Sequence, residues 1–259
     1  MSRTALITGA SGGIGLELAR KCAESKMNLV LIARRQEKLE QIASEFSKQY
    51  QIQVKIITKD LSKPNAPQEI FDEVQKENIN INVLINNAGF SNYGQFTTTD
   101  INTENDLLQV NIIALTLLTK LFLPPMIKSK FGKILNVGSI ASFFPGPLMA
   151  TYFSSKAYVL SFSQSLAGEL QGTGVTVTCL CPGPTQTGFA ERAGMHNPVS
   201  FGRYSESAEK VAQIGLHGLM RGKQIIVIGF LNNLVIFASR FSPRFLVLKT
   251  MKYIQELRK

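Results

Sequence analysis

A tyrosine and a lysine stand four residues apart in Tyr152-Phe153-Ser154-Ser155-Lys156, with Ser139 upstream. On a helix that spacing puts both side chains on one face, where the ammonium stabilises a phenolate. An unperturbed phenol, with a pKa of about 10, needs such a cation to act near neutral pH. Tyr152 is therefore a candidate proton donor. Almost at the start of the chain, Thr8-Gly9-Ala10-Ser11-Gly12-Gly13-Ile14-Gly15 reads as a turn from a strand into a helix beginning near Ile14. Missing β-carbons there let the backbone approach a pyrophosphate at a helix N-terminus. Together the two signals point to a nucleotide-dependent reductase.

The elements that must hold these groups are short β-rich runs alternating with helical patterns. That is the signature of an α/β fold, a Rossmann-type doubly wound parallel sheet with helices on both faces. Seven strands are expected, near residues 4–8, 28–33, 52–57, 82–86, 132–138, 174–180 and 224–229. The runs Asn28-Leu29-Val30-Leu31-Ile32-Ala33 and Ile225-Ile226-Val227-Ile228 are almost continuously apolar, as strands buried on both faces should be. A long helical pattern over about 104–129 is interrupted by Gln109, Asn111, Thr116 and Lys120. It suits a buried or subunit-facing helix better than a membrane span. Residues 1–229 are read as the nucleotide-binding catalytic unit and 230–259 as an apolar and basic extension of the same domain, divided by Pro243 into two short helices.

The chain has 259 residues, a size at which such a sheet is routinely one domain. Lys and Arg number 28 against 18 Asp and Glu, a formal charge of +10. Such an excess suits anionic partners, but the cations are scattered and no nucleic-acid reading motif accompanies them. No nucleic-acid partner is expected. Cys22, Cys179 and Cys181 are too few and too badly spaced for a disulfide framework or a four-ligand zinc site, so core packing and a reducing compartment are expected. His196 and His217 have no partner at metal-ligand spacing, and no metal is expected. The N-terminus enters an apolar strand at once and lacks a signal-peptide layout, so the expected location is cytoplasmic.

The spacing Thr-Gly-x-x-x-Gly-x-Gly resembles that of the short-chain dehydrogenase/reductase family. Further family elements follow in order: Asn86-Asn87-Ala88-Gly89, Asn111, Ser139 with Tyr152 and Lys156, then Pro182-Gly183 and Thr187. The resemblance spans residues 4 to about 229 and implies an NAD(P)-dependent oxidoreductase. By resemblance, Gly9, Ser11, Gly13, Ile14 and Gly15 form the phosphate turn, Asn87, Ala88 and Gly89 line the adenosine and ribose side, and Asp60 and Leu61 contact adenine. Pro182, Gly183, Thr185 and Thr187 close over the nicotinamide. The resemblance further gives Tyr152 the proton on the substrate oxygen and Lys156 the nicotinamide ribose hydroxyls. Ser139 hydrogen-bonds the reacting oxygen, and Asn111 positions a water linking Lys156 to solvent.

Charge at the end of the second strand bears on the cofactor. A carboxylate there would accept from a ribose diol, whereas a guanidinium pairs with a 2′-phosphate. The strand ends Ile32-Ala33-Arg34-Arg35, with no acid until Glu37, so NADP(H) is expected ahead of NAD(H). Phe90, Tyr93, Phe143, Phe144, Met149, Phe189 and Met195 fall in the stretches that border the nicotinamide in the family, which implies an apolar pocket for a lipophilic ketone, aldehyde or secondary alcohol. A 3-oxoacyl-thioester reductase, with an acidic carrier protein as partner, is the alternative. A non-catalytic cofactor-sensing protein is the reading from another class, and it would be marked by loss of Ser139, Tyr152 or Lys156. A homo-oligomer, dimer or tetramer, is expected through the 104–129 and 150–171 helices, which form the main subunit contact in the family. The segment 230–259 is expected first to cover the pocket or an interface, and second to make peripheral contact with an anionic membrane.

Overall fold

The computed structural model describes residues 3–189, 193 and 205–257. The chain runs β1 (Thr4–Thr8), α1 (Gly13–Glu24), β2 (Asn28–Ala33), α2 (Gln36–Tyr50), β3 (Val54–Thr58), α3 (Ala66–Lys76) and β4 (Val83–Asn86). There follow α4 (Ile101–Leu108), a π-helical stretch (Gln109–Ala114), α5 (Leu115–Lys128), β5 (Gly132–Val137), a 3-10 turn (Ile140–Phe143), α6 (Ala150–Glu169) and β6 (Val175–Cys181). The last part holds β7 (Thr185–Gln186), β8 (Glu206–Ser207), α7 (Ala208–Met220), β9 (Ile225–Val227), α8 (Phe230–Phe241) and α9 (Arg244–Glu256).

Seven strands form one parallel sheet in the order β3-β2-β1-β4-β5-β6-β9. Side chains alternate across it as a strand's period of two requires. Ala5 and Ile7 of β1, with Leu29 and Leu31 of β2, enter the core under α1, α2 and α7. Leu6, Val30 and Ile32 enter the opposite core, beneath α3, α5 and α6. Both faces are covered, which is why the strands read as continuous apolar runs. The strand order reverses between β1 and β4, so the loops leaving their C-terminal ends diverge and open a crevice there.

The long apolar helix spans Ile101–Lys128, 28 residues, beginning three residues before the pattern suggested. Asp100 caps it, its carboxylate accepting from the Thr103 amide at 2.7 Å. Its inward stripe of Val110, Ala114, Leu118, Phe122 and Met126 is buried against the sheet. Pro243 does divide the C-terminal segment, into α8 and α9. The small parallel pair β7-β8 was not foreseen, since two-residue strands carry no periodicity.

Candidate active site

The β1–α1 turn is built by close approach. Gly9 has a φ of 67°, and a β-carbon on it would lie 2.8 Å from the Asn87 side-chain nitrogen. Thr8 Oγ1 accepts from the amides of Asn87 and Ala88, both at 3.0 Å, and Asn87 Nδ2 donates to the Thr8 carbonyl at 2.9 Å. These bonds fasten the loop after β4 to the loop after β1, across the crevice. Gly9, Ser11, Gly13, Ile14, Asn87, Ala88 and Gly89 all line the resulting cavity of about 870 Å³. Gly15 does not. It is buried behind the turn, where a β-carbon would collide with the Gly9 carbonyl and the Asn87 amide, so it sets the packing of α1 rather than touching the cavity.

At one end of the cavity stand Arg34, Arg35, Asp60 and Leu61. Arg35 donates from Nη2 to the Ser11 carbonyl at 3.2 Å and to Ser11 Oγ at 3.3 Å, which draws its guanidinium over the glycine turn. Arg34, largely exposed, lies 4.0 Å from the Asp60 carboxylate. Lys59, which the sequence did not single out, also lines this end and pairs with Glu69 at 2.6 Å. The end is cationic and accessible, the environment a phosphate needs. Pro182, Gly183, Thr185 and Thr187 line the cavity farther along.

The polar groups after β5 and on α6 converge in the middle. Ser139 caps the 3-10 turn Ile140–Phe143, its Oγ accepting from the Ala141 amide at 3.1 Å while Ser142 Oγ accepts from the Ser139 amide at 3.3 Å. Ser142 Oγ in turn donates to the Lys156 carbonyl at 2.7 Å, so the turn bearing Ser139 is tied to the helix bearing Tyr152 and Lys156. Lys156 is buried, its ammonium donating to the Val137 carbonyl at 2.8 Å and lying 5.8 Å from the Tyr152 ring centre. Burial pushes its pKa down to about 8, only partly opposed by the nearby Cys179 and Cys181 sulfurs. Ser139, Tyr152 and Lys156 share the cavity wall.

Asn111 sits outside that wall. The π-helical stretch carries it, a local widening of the kind that recurs at functional sites. Its Oδ1 accepts from the Phe90 amide at 3.1 Å, and its Nδ2 donates to the Phe90 carbonyl and Ser155 Oγ, both at 3.0 Å. These bonds tie the side chain to the loop after β4 and, through Ser155, to the helix that carries Tyr152 and Lys156. Asn111 backs Gly89, where a β-carbon would lie 3.1 Å from Asn111 Oδ1 and 3.3 Å from Lys156 Nζ.

Of the expected substrate-side residues, Phe90, Phe144, Met149 and Phe189 line the cavity, with Phe189 tilted against Tyr152 at 5.5 Å between ring centres. Phe143 does not, because the 3-10 turn directs it to the other side, where it packs with Leu115, Val159 and Cys181. Tyr93 is not in the wall either; its hydroxyl donates to the Gln255 carbonyl at 2.7 Å and holds α9 in place. Met195 and His196 lie outside the described residues. Val235, Met251 and Ile254 of α8 and α9 wall this end of the cavity, in keeping with the pocket cover expected first of the 230–259 segment.

A family model described as short chain dehydrogenase matches residues 3–198. A very-long-chain 3-oxoacyl-CoA reductase of Anas platyrhynchos is 35% identical over 184 residues, covering 69% of this chain but 58% of that relative. Sulfoacetaldehyde reductase 2 of Chromohalobacter salexigens is 34% identical and covers 83% of this chain and 87% of its own. Among solved structures, a short-chain dehydrogenase from Sphingobium yanoikuyae in complex with NADPH is 31% identical with a TM-score of 0.82 over 88% of both chains. A bulky-bulky ketone specific alcohol dehydrogenase from Comamonas testosteroni is 26% identical, with a TM-score of 0.79 over 92% of both.

Proposed function

This chain belongs to the short-chain dehydrogenase family, and from that premise we propose that it is a nicotinamide-dependent oxidoreductase of CH–OH and C=O groups, more specifically an NADPH-dependent reductase of a bulky, apolar carbonyl compound. The observation that carries this reading is a single cavity with a cationic end, a Ser-Tyr-Lys group at its middle and an apolar end walled by Phe144, Met149, Phe189 and Met251. The residues fit the cofactor. The Gly9 turn brings backbone rather than side chain to the cavity, Arg35 over Ser11 and the exposed Arg34 suit a 2′-phosphate, and Lys156, in the cavity wall beside Gly89, would meet the ribose hydroxyls. Bound there, the nicotinamide supplies or accepts the hydride.

The chain's own groups handle the proton. Tyr152 delivers it to the substrate oxygen, and the Lys156 ammonium, fixed by the Val137 carbonyl, stabilises the phenolate left behind. Ser139 Oγ already accepts from Ala141, so its own hydroxyl proton is available to donate to the same substrate oxygen. Asn111 acts through position: it fixes Phe90 and, through Ser155, the helix bearing Tyr152 and Lys156.

The second reading is a 3-oxoacyl thioester as substrate, favoured by the names of the 35%-identical relatives. The test is purified protein with NADPH or NADH against bulky ketones, aldehydes and 3-oxoacyl-CoA thioesters. The primary reading expects turnover of the ketones with NADPH, and an Arg35→Ala protein that loses roughly tenfold or more in NADPH affinity while NADH affinity holds. Equal affinity of the wild type for both cofactors defeats the cofactor choice; turnover of thioesters alone moves the substrate to the second reading.

A further inference from the structure

We propose that α8 and α9 form a docking surface for an anionic lipid bilayer, with the mouth of the cavity opening at the lipid. The two helices bury a narrow stripe and expose most of their apolar side chains. On α8 the inward line is Asn232, Ile236 and Ser239, of which Ile236 is buried. The outward line is Phe230, Leu234, Phe237 and Phe241, spaced along one helical face, with Phe230 82% and Phe241 76% exposed. On α9 Met251 and Gln255 turn inward, while Phe245, Leu248 and Tyr253 are exposed. An apolar surface of this extent calls for an occupant.

Charge selects which one. Six of the seven charged residues in 230–259 are basic, and the single acid, Glu256, lies 3.9 Å from Lys252. Arg240 and Arg244 flank the bend between the helices, and Lys249 and Lys252 follow on α9; none of these four is buried. Exposed phenylalanines and leucines interleaved with such cations are the composition that seats a helix in a headgroup layer, apolar side chains in the acyl boundary and cations on lipid phosphates. A second copy of this chain is disfavoured, since a two-fold interface would set this cationic surface against itself.

The position of the surface adds the consequence. Val235 and Ile254 belong at once to the cavity wall and to the exposed face, so the docking surface is continuous with the cavity rim. A lipid-dissolved carbonyl compound would pass from the bilayer to Tyr152 without crossing water. That entry route rests on the proposed apolar substrate; docking itself does not.

The test is co-sedimentation of the full chain with vesicles of phosphatidylcholine, with and without phosphatidylserine, at low and high salt. Binding is expected on the phosphatidylserine vesicles and is expected to weaken with salt. Arg240→Gln with Arg244→Gln should lower the affinity roughly thirtyfold, at the usual contribution of a cation near an anionic surface. Phe237→Ser with Phe241→Ser should abolish it. Both pairs of residues are exposed and outside the cavity wall, so turnover of a water-soluble ketone without vesicles should be unchanged, and that separates loss of docking from failure of the enzymatic reading. Wild-type protein that stays in the supernatant with every vesicle overturns the proposal. So does vesicle binding that the phenylalanine variant retains, or a phenylalanine variant whose only change is its oligomeric state.

Discussion

At the residue scale the chemistry divides between a group that moves a proton and groups that make this possible. Tyr152→Phe keeps the ring packed against Phe153 and Phe189 and removes only the acidic proton. Turnover should fall by about two to four orders of magnitude while cofactor affinity is retained, measured by steady-state kinetics and by titration of NADPH. Lys156 gives a second test through pH. Its folded-state pKa is pushed down to about 8, below the usual 10.5, so the unfolded chain holds this proton more tightly than the folded one. The group therefore costs stability below pH 8, and that cost is relieved as pH rises from about 8 toward 10.5. Activity should run the other way, because the phenolate loses its cation. The kcat/KM for cofactor, which reports groups of the free enzyme, should fall roughly tenfold per pH unit above the lysine's pKa. A profile flat to pH 10 would remove Lys156 from this role. Tyr152, Lys156 and Ser139 were legible in the sequence because helical spacing alone puts the first two on one face. Phe143 misled, since which way a 3-10 turn throws its last side chain is set by packing against Leu115 and Val159, not by local sequence.

At the element scale, the sheet was readable almost strand by strand, most clearly at β1, β2 and β4, where burial on both faces leaves an apolar run. The ends were less so: β3 begins at Val54 and β9 spans only Ile225–Val227, where pairing with a neighbour rather than propensity stops the strand. The π-helical stretch was not legible at all. Nothing in Gln109-Val110-Asn111-Ile112-Ile113-Ala114 breaks an ordinary helix, and the widening accompanies the bonds Asn111 makes to Phe90 and Ser155. Asn111→Ala should leave the Phe90 amide and carbonyl and the Ser155 hydroxyl without these partners, costing about 1 to 3 kcal/mol in chemical denaturation. If the residue also positions the helix that carries Lys156, kcat should fall with KM for cofactor nearly unchanged, and Asn111→Asp should recover part of it by restoring the acceptor for Phe90. Lower stability with unchanged kcat would confine Asn111 to a structural role.

At the scale of the whole molecule, the chain exposes a second apolar region, on α4, α5 and α6, whose expected partner is a copy of itself. Leu108, Ile113 and Leu117 project from the long helix at 39–44% exposure, although its other face is fully used in the core. Across from them on α6, Tyr158 stacks on Phe162 at 5.7 Å and an angle of 9°, and its hydroxyl lies 2.9 Å from Thr116 Oγ1. This region differs from the surface of α8 and α9 in charge: Lys120 is the only charged side chain in 107–127, so a two-fold pairing would not force a cluster of cations together. A homo-oligomer is expected, with these helices at its interface. Leu117→Asp with Tyr158→Asp would place carboxylates on both sides of that contact, and light scattering should then show a monomer at concentrations where the wild type is oligomeric. Folding should survive, because both side chains are more than a third exposed in the single chain. Vesicle binding should survive as well, since the substituted residues lie on α5 and α6 rather than on α8 and α9. A wild-type protein that is monomeric at micromolar concentration, or a variant that keeps the wild-type oligomer, would put the subunit contact elsewhere.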